Sequence, residues 1–225
     1  MPSGDPSTQE PTGRAPRRYR GLSVAERREQ RREQLLEAGL ELFGTQGYAG
    51  SSIRAVSAAA SLNSRYFYES FTSREDLLYH VYQRAVADIA GAVIEATAQV
   101  DTVEDQARAG LRASWTVLTS DRRKARVIVL EVVGVSERLE KLRRENRHAF
   151  AEILVNNAMS IAGEGIRLRM DPVLTARSLI GAGMELLVDW IHGDVSASPD
   201  EIVEYLTKMY TAVALASVAE PTAEQ

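Results

Sequence analysis

Apolar residues along this chain recur at the three- and four-residue spacing of helices. Ser23-Val24-Ala25-Glu26 matches a capping box, which predicts a first helix from there to about Thr45, with Leu35, Leu36, Leu40, Leu42 and Phe43 on its buried face. Gly44 and Gly47 mark its exit. Two short helical patterns follow, joined by the turn Ala60-Ser61-Leu62. Ile53, Val56 and Ala60 share a face in the first, which Ser51 or Ser52 can cap. The second starts at Asn63 and buries Phe67 and Phe71. Thr72 or Ser73 caps a fourth helix, running to about Gln99, with Leu77, Leu78, Val81, Ile89 and Val93 at helical spacing. Further helices are expected over residues 102 to about 119, 121–133, 136 to about 162, 172–192 and 199 to about 218. Gly163-Glu164-Gly165 should end the third of these, and Asp171-Pro172 should open the next with proline in its first turn. Residues 127–133 suit a strand by composition, but no second strand-like run exists to pair with them. The fold class is therefore all-α, with about nine helices.

The pair of short helices carries the only concentrated chemistry. Behind Phe67 and Phe71 the second helix presents Ser64, Arg65, Tyr66 and Tyr68, an apolar back with a hydrogen-bonding front. That composition fits a helix that reads DNA: the front supplies donors for base edges and phosphates, and the back docks on neighbouring helices.

Order and spacing sharpen the picture. Ala38, Leu42, Phe43 and Gly47-Tyr48 are followed by Ser51-Ser52-Ile53-Arg54, Phe67-Tyr68, Phe71, Ser73-Arg74-Glu75 and Leu77. Over roughly residues 28–86 the chain resembles the tetracycline-repressor (TetR) family of transcriptional regulators. Three positions depart from the family pattern. Ser61 stands where the turn usually carries glycine, at a cost of about 1 kcal/mol if φ is positive there. Asn63 replaces a Ser or Thr cap, and Arg74 replaces Lys. The resemblance implies an N-terminal three-helix DNA-binding domain with a helix-turn-helix, and a C-terminal helical ligand-binding and dimerisation domain. In such a domain Arg65 and Tyr66, with Ser64, are the candidates for base-edge or adjacent contacts, and Ser51, Ser52, Arg54, Tyr68 and Arg74 for phosphates; Asn63, the cap of the reading helix, is also a DNA-binding candidate.

Charge distribution supports a polyanionic partner despite a net charge of −4. From Arg14 to Asp76 there are 11 basic against 8 acidic residues, and from Leu77 onward 16 against 21. Eight arginines fall within the 19 residues ending at Arg32, so one end of an acidic body is basic. Residues 1–22, rich in Pro, Ser, Thr and Gly, are expected to be a disordered basic arm. In it Arg17, Arg18 and Arg20 could enter an adjacent minor groove or simply aid solubility. Residues 23–76 form the expected helix-turn-helix domain, and residues 77–220 the effector-binding and dimerisation domain.

Other classes of function find little support. The 225 residues include no cysteine, and no two of His80, His148 and His192 lie within a helical turn of each other, so no metal or cofactor is expected. No nucleophile elbow, phosphate-binding loop or dinucleotide fingerprint occurs, and no enzyme activity is expected. No run of about 18 apolar residues predicts a membrane span, and a cytoplasmic location is expected.

In the body, Trp115, His148, Phe150, Met159, Met184 and Trp190 are candidates to line a cavity for an apolar or aromatic small-molecule effector. Packing or solvation is the alternative for each. An open space around Trp115 and Trp190 would favour an effector; a filled core there would favour a body that binds a protein partner. The last two helices have wide apolar faces, which suggests pairing across a two-fold axis. Ile180, Gly183, Met184, Leu187 and Ile191 represent the first face, and Leu206, Tyr210 and Val213 the second. The sequence thus reads as a homodimeric, ligand-responsive regulator of double-stranded DNA, most simply a repressor released from a palindromic operator. A non-specific DNA-coating protein is the remaining alternative.

Overall fold

The computed structural model describes residues 23–162 and 168–217, and among them every regular element is helical. Three helices form the N-terminal unit: α1 (Val24–Thr45), α2 (Ile53–Ala59) and α3 (Ser64–Tyr68). Helix α4 (Arg74–Thr97) runs unbroken from that unit into the body. The body adds α5 (Val103–Ser120), α6 (Arg122–Arg126), α7 (Glu137–Ala162), α8 (Pro172–His192) and α9 (Pro199–Ser217). The strand-like run after α6 is a π-helical segment, Val127–Glu131, with Val127, Ile128 and Val129 buried.

Local chemistry sets most helix starts. Ser23 and Glu26 form the reciprocal capping box, with distances of 2.6 and 3.1 Å. Ser52, Asn63, Ser73 and Asp171 each accept a backbone N–H in the first turn of the helix they precede. Each such cap contributes about 1 kcal/mol. Ser61 adopts φ 55°, the left-handed conformation that the turn requires, so serine bears there a strain that glycine would avoid.

One continuous core joins the two units. Leu35, Phe43, Val56, Phe67, Phe71, Leu77 and Leu78 are at most 1% exposed and clamp α1, α2 and α3 onto the first turns of α4. Burying side chains of this kind contributes roughly 1.5–3 kcal/mol each. In the body, α5 packs on α4 and α9, and α7 on α8. Helices α1 and α6 touch at Gly44, where an added Cβ would lie 2.4 Å from Arg123 Cβ. Around that contact Arg123 pairs with Glu37 (3.0 Å), Glu41 (2.7 Å) and Asp121 (2.8 Å), and those carboxylates keep its guanidinium firmly charged.

The faces of α8 and α9 differ from the sequence expectation. Leu187, Leu206 and Tyr210 are buried in the subunit's own core, so they are not available to a partner. Tyr210 donates its hydroxyl to Leu179 O at 2.6 Å, and burial raises its phenol well above the ordinary value. The small side of Gly183 accommodates that same phenol, since a Cβ there would meet Tyr210 Oη at 3.2 Å. Ile180, Met184, Ile191 and Val213 are half-buried. The side of α8 left open passes through Leu174 and Gly181; that of α9 passes through Tyr205, Ala212, Leu215 and Ala216. The expected arm residues Arg17, Arg18 and Arg20, and the expected helix stop at Gly163-Glu164-Gly165, lie outside the described residues.

Candidate nucleic-acid interface and body cavity

Helix α3 has five residues, too few to persist alone, and its position is imposed by its neighbours. Phe67 is fully buried, with Phe71 at 5.8 Å between ring centroids. The opposite side leaves Arg65, Tyr66 and Tyr68 exposed and Ser64 half-buried. Ser52 and Arg54 at the start of α2 are also exposed. Ser52 Oγ accepts the Ala55 N–H at 3.1 Å, and Asn63 Oδ1 accepts the Arg65 N–H at 2.9 Å. Both residues therefore act as caps whatever else they touch.

Two residues assigned to phosphates from the sequence are committed elsewhere. Ser51 is 2% exposed, and its hydroxyl donates to Gly47 O at 2.8 Å, so it has no donor to offer a ligand. Arg74 lies with its guanidinium over the Tyr48 ring, 4.1 Å from the centroid, and donates to Ser51 O. It braces the entry to α2 rather than extending outward.

Three arginines that the sequence offered only as a basic cluster hold α3 from the side of α1. Arg28 donates to Glu69 O at 2.7 Å, and Arg32 donates to Ser70 O at 3.3 Å. Arg31 pairs with the Glu69 carboxylate at 3.1 Å. A signal was present in the sequence: Arg28, Arg31 and Arg32 share a helical face with Leu35, which faces inward. Glu131 is a second residue that sequence reasoning missed. From the π-helical segment its carboxylate accepts the Tyr48 N–H (2.7 Å) and pairs with Arg126 (2.7 Å), tying the body to the α1–α2 turn.

A cavity of about 320 Å3 opens between α4, α5, α7, α8 and α9. Phe150 and Met159 line it as expected, together with Val93, Leu111, Leu154 and Leu179. Ser114, Thr97 and Thr175 also reach its wall, but their hydroxyls donate back to carbonyls of their own helices at 2.8 Å, so the surface they present is weakly polar. Four expected lining residues are elsewhere. Trp115 is 4% exposed and packs edge-to-face on Trp190 at 6.2 Å, with Arg122 over the Trp190 ring at 4.5 Å. The core between the tryptophans is filled, which at that place favours a body that binds a protein partner, and the open space lies instead around Phe150 and Met159. Met184 packs against the core, and His148 is exposed. Among the described residues no cluster suits a metal ion, and no helix is long and apolar enough to cross a membrane.

An α2–turn–α3 unit on a three-helix scaffold, carried by α4 on an all-helical body, has the arrangement of a helix-turn-helix. Residues 35–81 match the model of the bacterial regulatory proteins of the tetR family. Solved structures share the fold across the body as well. FadR, a fatty acid degradation regulator from Bacillus halodurans, superposes with a TM-score of 0.72 at 18% identity, covering 80% of this chain and 94% of its own. FadR from Bacillus subtilis in complex with stearoyl-CoA gives 0.72 at 18%, covering 79% and 96%. A regulator of the TetR family from Syntrophomonas wolfei gives 0.71 at 18%, covering 87% and 99%. No curated protein sequence matches the chain.

Proposed function

We propose that this chain is a homodimeric repressor released from a palindromic operator when an apolar small molecule enters the body cavity. The observation that carries the reading is the cavity itself, because Val93 and Thr97, near the end of α4, line it while Arg74 in the first turn of the same helix bonds the Ser51 carbonyl at the entry to α2. A ligand that favours one setting of α4 changes the spacing of the two α3 helices in a dimer. Operator affinity then falls by the ratio of the ligand's affinities for the two settings. The stearoyl-CoA of the FadR relative carries a long aliphatic chain, which suits a wall of this composition.

In this reading residues 23–76 bind DNA and residues 77–220 bind effector and partner. Arg65 and Tyr66, with Ser64, meet base edges in the major groove, while Ser52, Arg54 and Tyr68 meet phosphates. The exposure of Arg65, Tyr66, Tyr68, Ser52 and Arg54 supports these assignments. The dimer forms through the open stripes of α8 and α9 at Leu174, Gly181, Tyr205 and Leu215, three of which are large exposed apolar side chains.

Binding-site selection from random duplexes with the full chain tests the DNA half. The expected product is an approximate palindrome whose half-sites lie about 34–36 Å apart or a multiple of it. Arg65→Ala should then lower specific affinity by roughly 1–3 kcal/mol and relax base preference at one position per half-site. Uniform affinity for all sequences would favour the DNA-coating reading instead.

A further inference from the structure

The contact between Arg31 and α3 differs from those of its neighbours in its target, an exposed ring. Arg28 and Arg32 bond backbone carbonyls after α3 and so hold the path of the chain, and Arg32 also lies 4.6 Å over the ring of Phe71, which is buried and faces no ligand. Arg31 holds a side chain: its guanidinium carbon lies 4.6 Å from the Tyr66 ring centroid, while Nη2 donates to Glu69 Oε2 at 3.1 Å. Tyr66 is 37% exposed, so its ring meets a cation within the protein and still reaches solvent. The Arg31 side chain is 23% exposed and the Glu69 side chain 35%, a half-sheltered pair rather than a freely solvated one.

An exposed tyrosine on a five-residue helix would ordinarily sample several rotamers. We propose that Arg31 is a positioning residue for base readout: Glu69 orients its guanidinium, and the guanidinium fixes the ring of Tyr66 toward the base edge. The proposal rests on the reading of α3 as the helix that meets bases. Arginine suits the task because a planar guanidinium can stack on a ring while its fork engages a carboxylate, and a lysine ammonium cannot do both. The DNA contact remains with Tyr66, whose preorganisation Arg31 supplies.

The test is binding-site selection, followed by titrations at several salt concentrations, on the full chain and on Arg31→Lys, Arg31→Ala, Arg65→Ala, Tyr66→Ala and the double variant of Arg31→Lys with Tyr66→Ala. Arg31→Lys keeps the charge and removes the stack. Tyr66→Ala is expected to flatten preference at one position per half-site. Arg31→Lys should lower the ratio of best to next-best base at that same position by about 3- to 10-fold, the cost of ordering one side chain on binding. Its salt slope should not change, and the double variant should match Tyr66→Ala alone. Retention of base preference by Arg31→Lys, or an equal loss of affinity for every sequence, would overturn the proposal. A fall of about 0.9 in salt slope for Arg31→Ala would make Arg31 a phosphate contact and overturn it too. If Tyr66→Ala leaves preference intact while Arg65→Ala relaxes it, Arg31 has no reader to position and the proposal fails although α3 still reads DNA. If neither variant alters preference, the reading of α3 fails with it.

Discussion

At the scale of single residues, Arg74 separates charge from architecture. Its guanidinium covers Tyr48 and bonds the Ser51 carbonyl, so it fixes the α1–α2 turn to the start of α4. Losing a partly buried cation–π contact and a charged hydrogen bond costs about 1–3 kcal/mol. Arg74→Ala should therefore lower the free energy of unfolding by that amount in a denaturant titration. The salt slope of operator binding should stay the same, whereas an outward-facing phosphate contact would lower it by about 0.9. Arg74→Lys should recover little of the loss, because an ammonium does not stack as a planar fork does.

At the scale of elements, the first turns of α4 form a titratable junction. His80 lies against the Phe71 ring at 5.6 Å and faces Asp76 of its own helix, Arg32 of α1 and Arg138 of α7. Burial first, then the charges of Arg32 and Arg138, hold its pKa below the ordinary 6.5, and Asp76 only partly opposes them. The unfolded chain consequently binds this proton more readily than the folded one. Stability is full above about pH 6.5 and falls as the pH drops toward the lowered folded value. Asp76 titrates in a separate, more acidic range. Burial works against its charge, but the Thr72 N–H and Arg138 outweigh that and hold it below 3.8, so its contribution is lost only as the pH falls through its folded value. The thermal midpoint should decline as the pH falls below about 6.5, and His80→Gln should remove that part of the decline while leaving the more acidic one.

At the scale of the whole molecule, two substitutions test the assembly and the cavity separately. A Cβ at Gly181 meets nothing within 4 Å, so Gly181→Glu places a charge on the open stripe of α8 without disturbing the subunit. It should shift the protein to monomers in sedimentation at micromolar concentration. Retention of the dimer would locate the partner elsewhere. Gly110 lines the cavity, and a Cβ there would be in ordinary contact with Thr97 Cγ2 at 3.6 Å and Val93 Cγ1 at 3.7 Å. Gly110→Leu should fill part of the space and abolish thermal stabilisation by apolar ligands that stabilise the unsubstituted protein. Operator affinity without ligand should be unchanged, so that loss of DNA binding in this variant would count against a cavity independent of the reading head.

The division between what was legible in the sequence and what was not follows the range of the forces. The caps at Ser23, Ser52, Asn63 and Ser73 act over two or three residues, and the periodicity of Leu35, Val56, Phe67 and Leu77 is written along single helices, so helix number, order and the helix-turn-helix could be read directly. The positive φ at Ser61 was legible only through the family resemblance, because nothing in Ala60-Ser61-Leu62 itself calls for it. Periodicity says which residues share a face but not what covers it. Only tertiary packing turned Leu206 and Tyr210 toward the subunit's own core and sealed Trp115 against Trp190. Long side chains with distant partners were equally open: Arg74 and Arg31 reach across 23 and 38 residues of sequence to the groups that hold them. A charge pattern on one helix cannot specify partners on another, because such pairing depends on how the helices cross, and that crossing is set by the core.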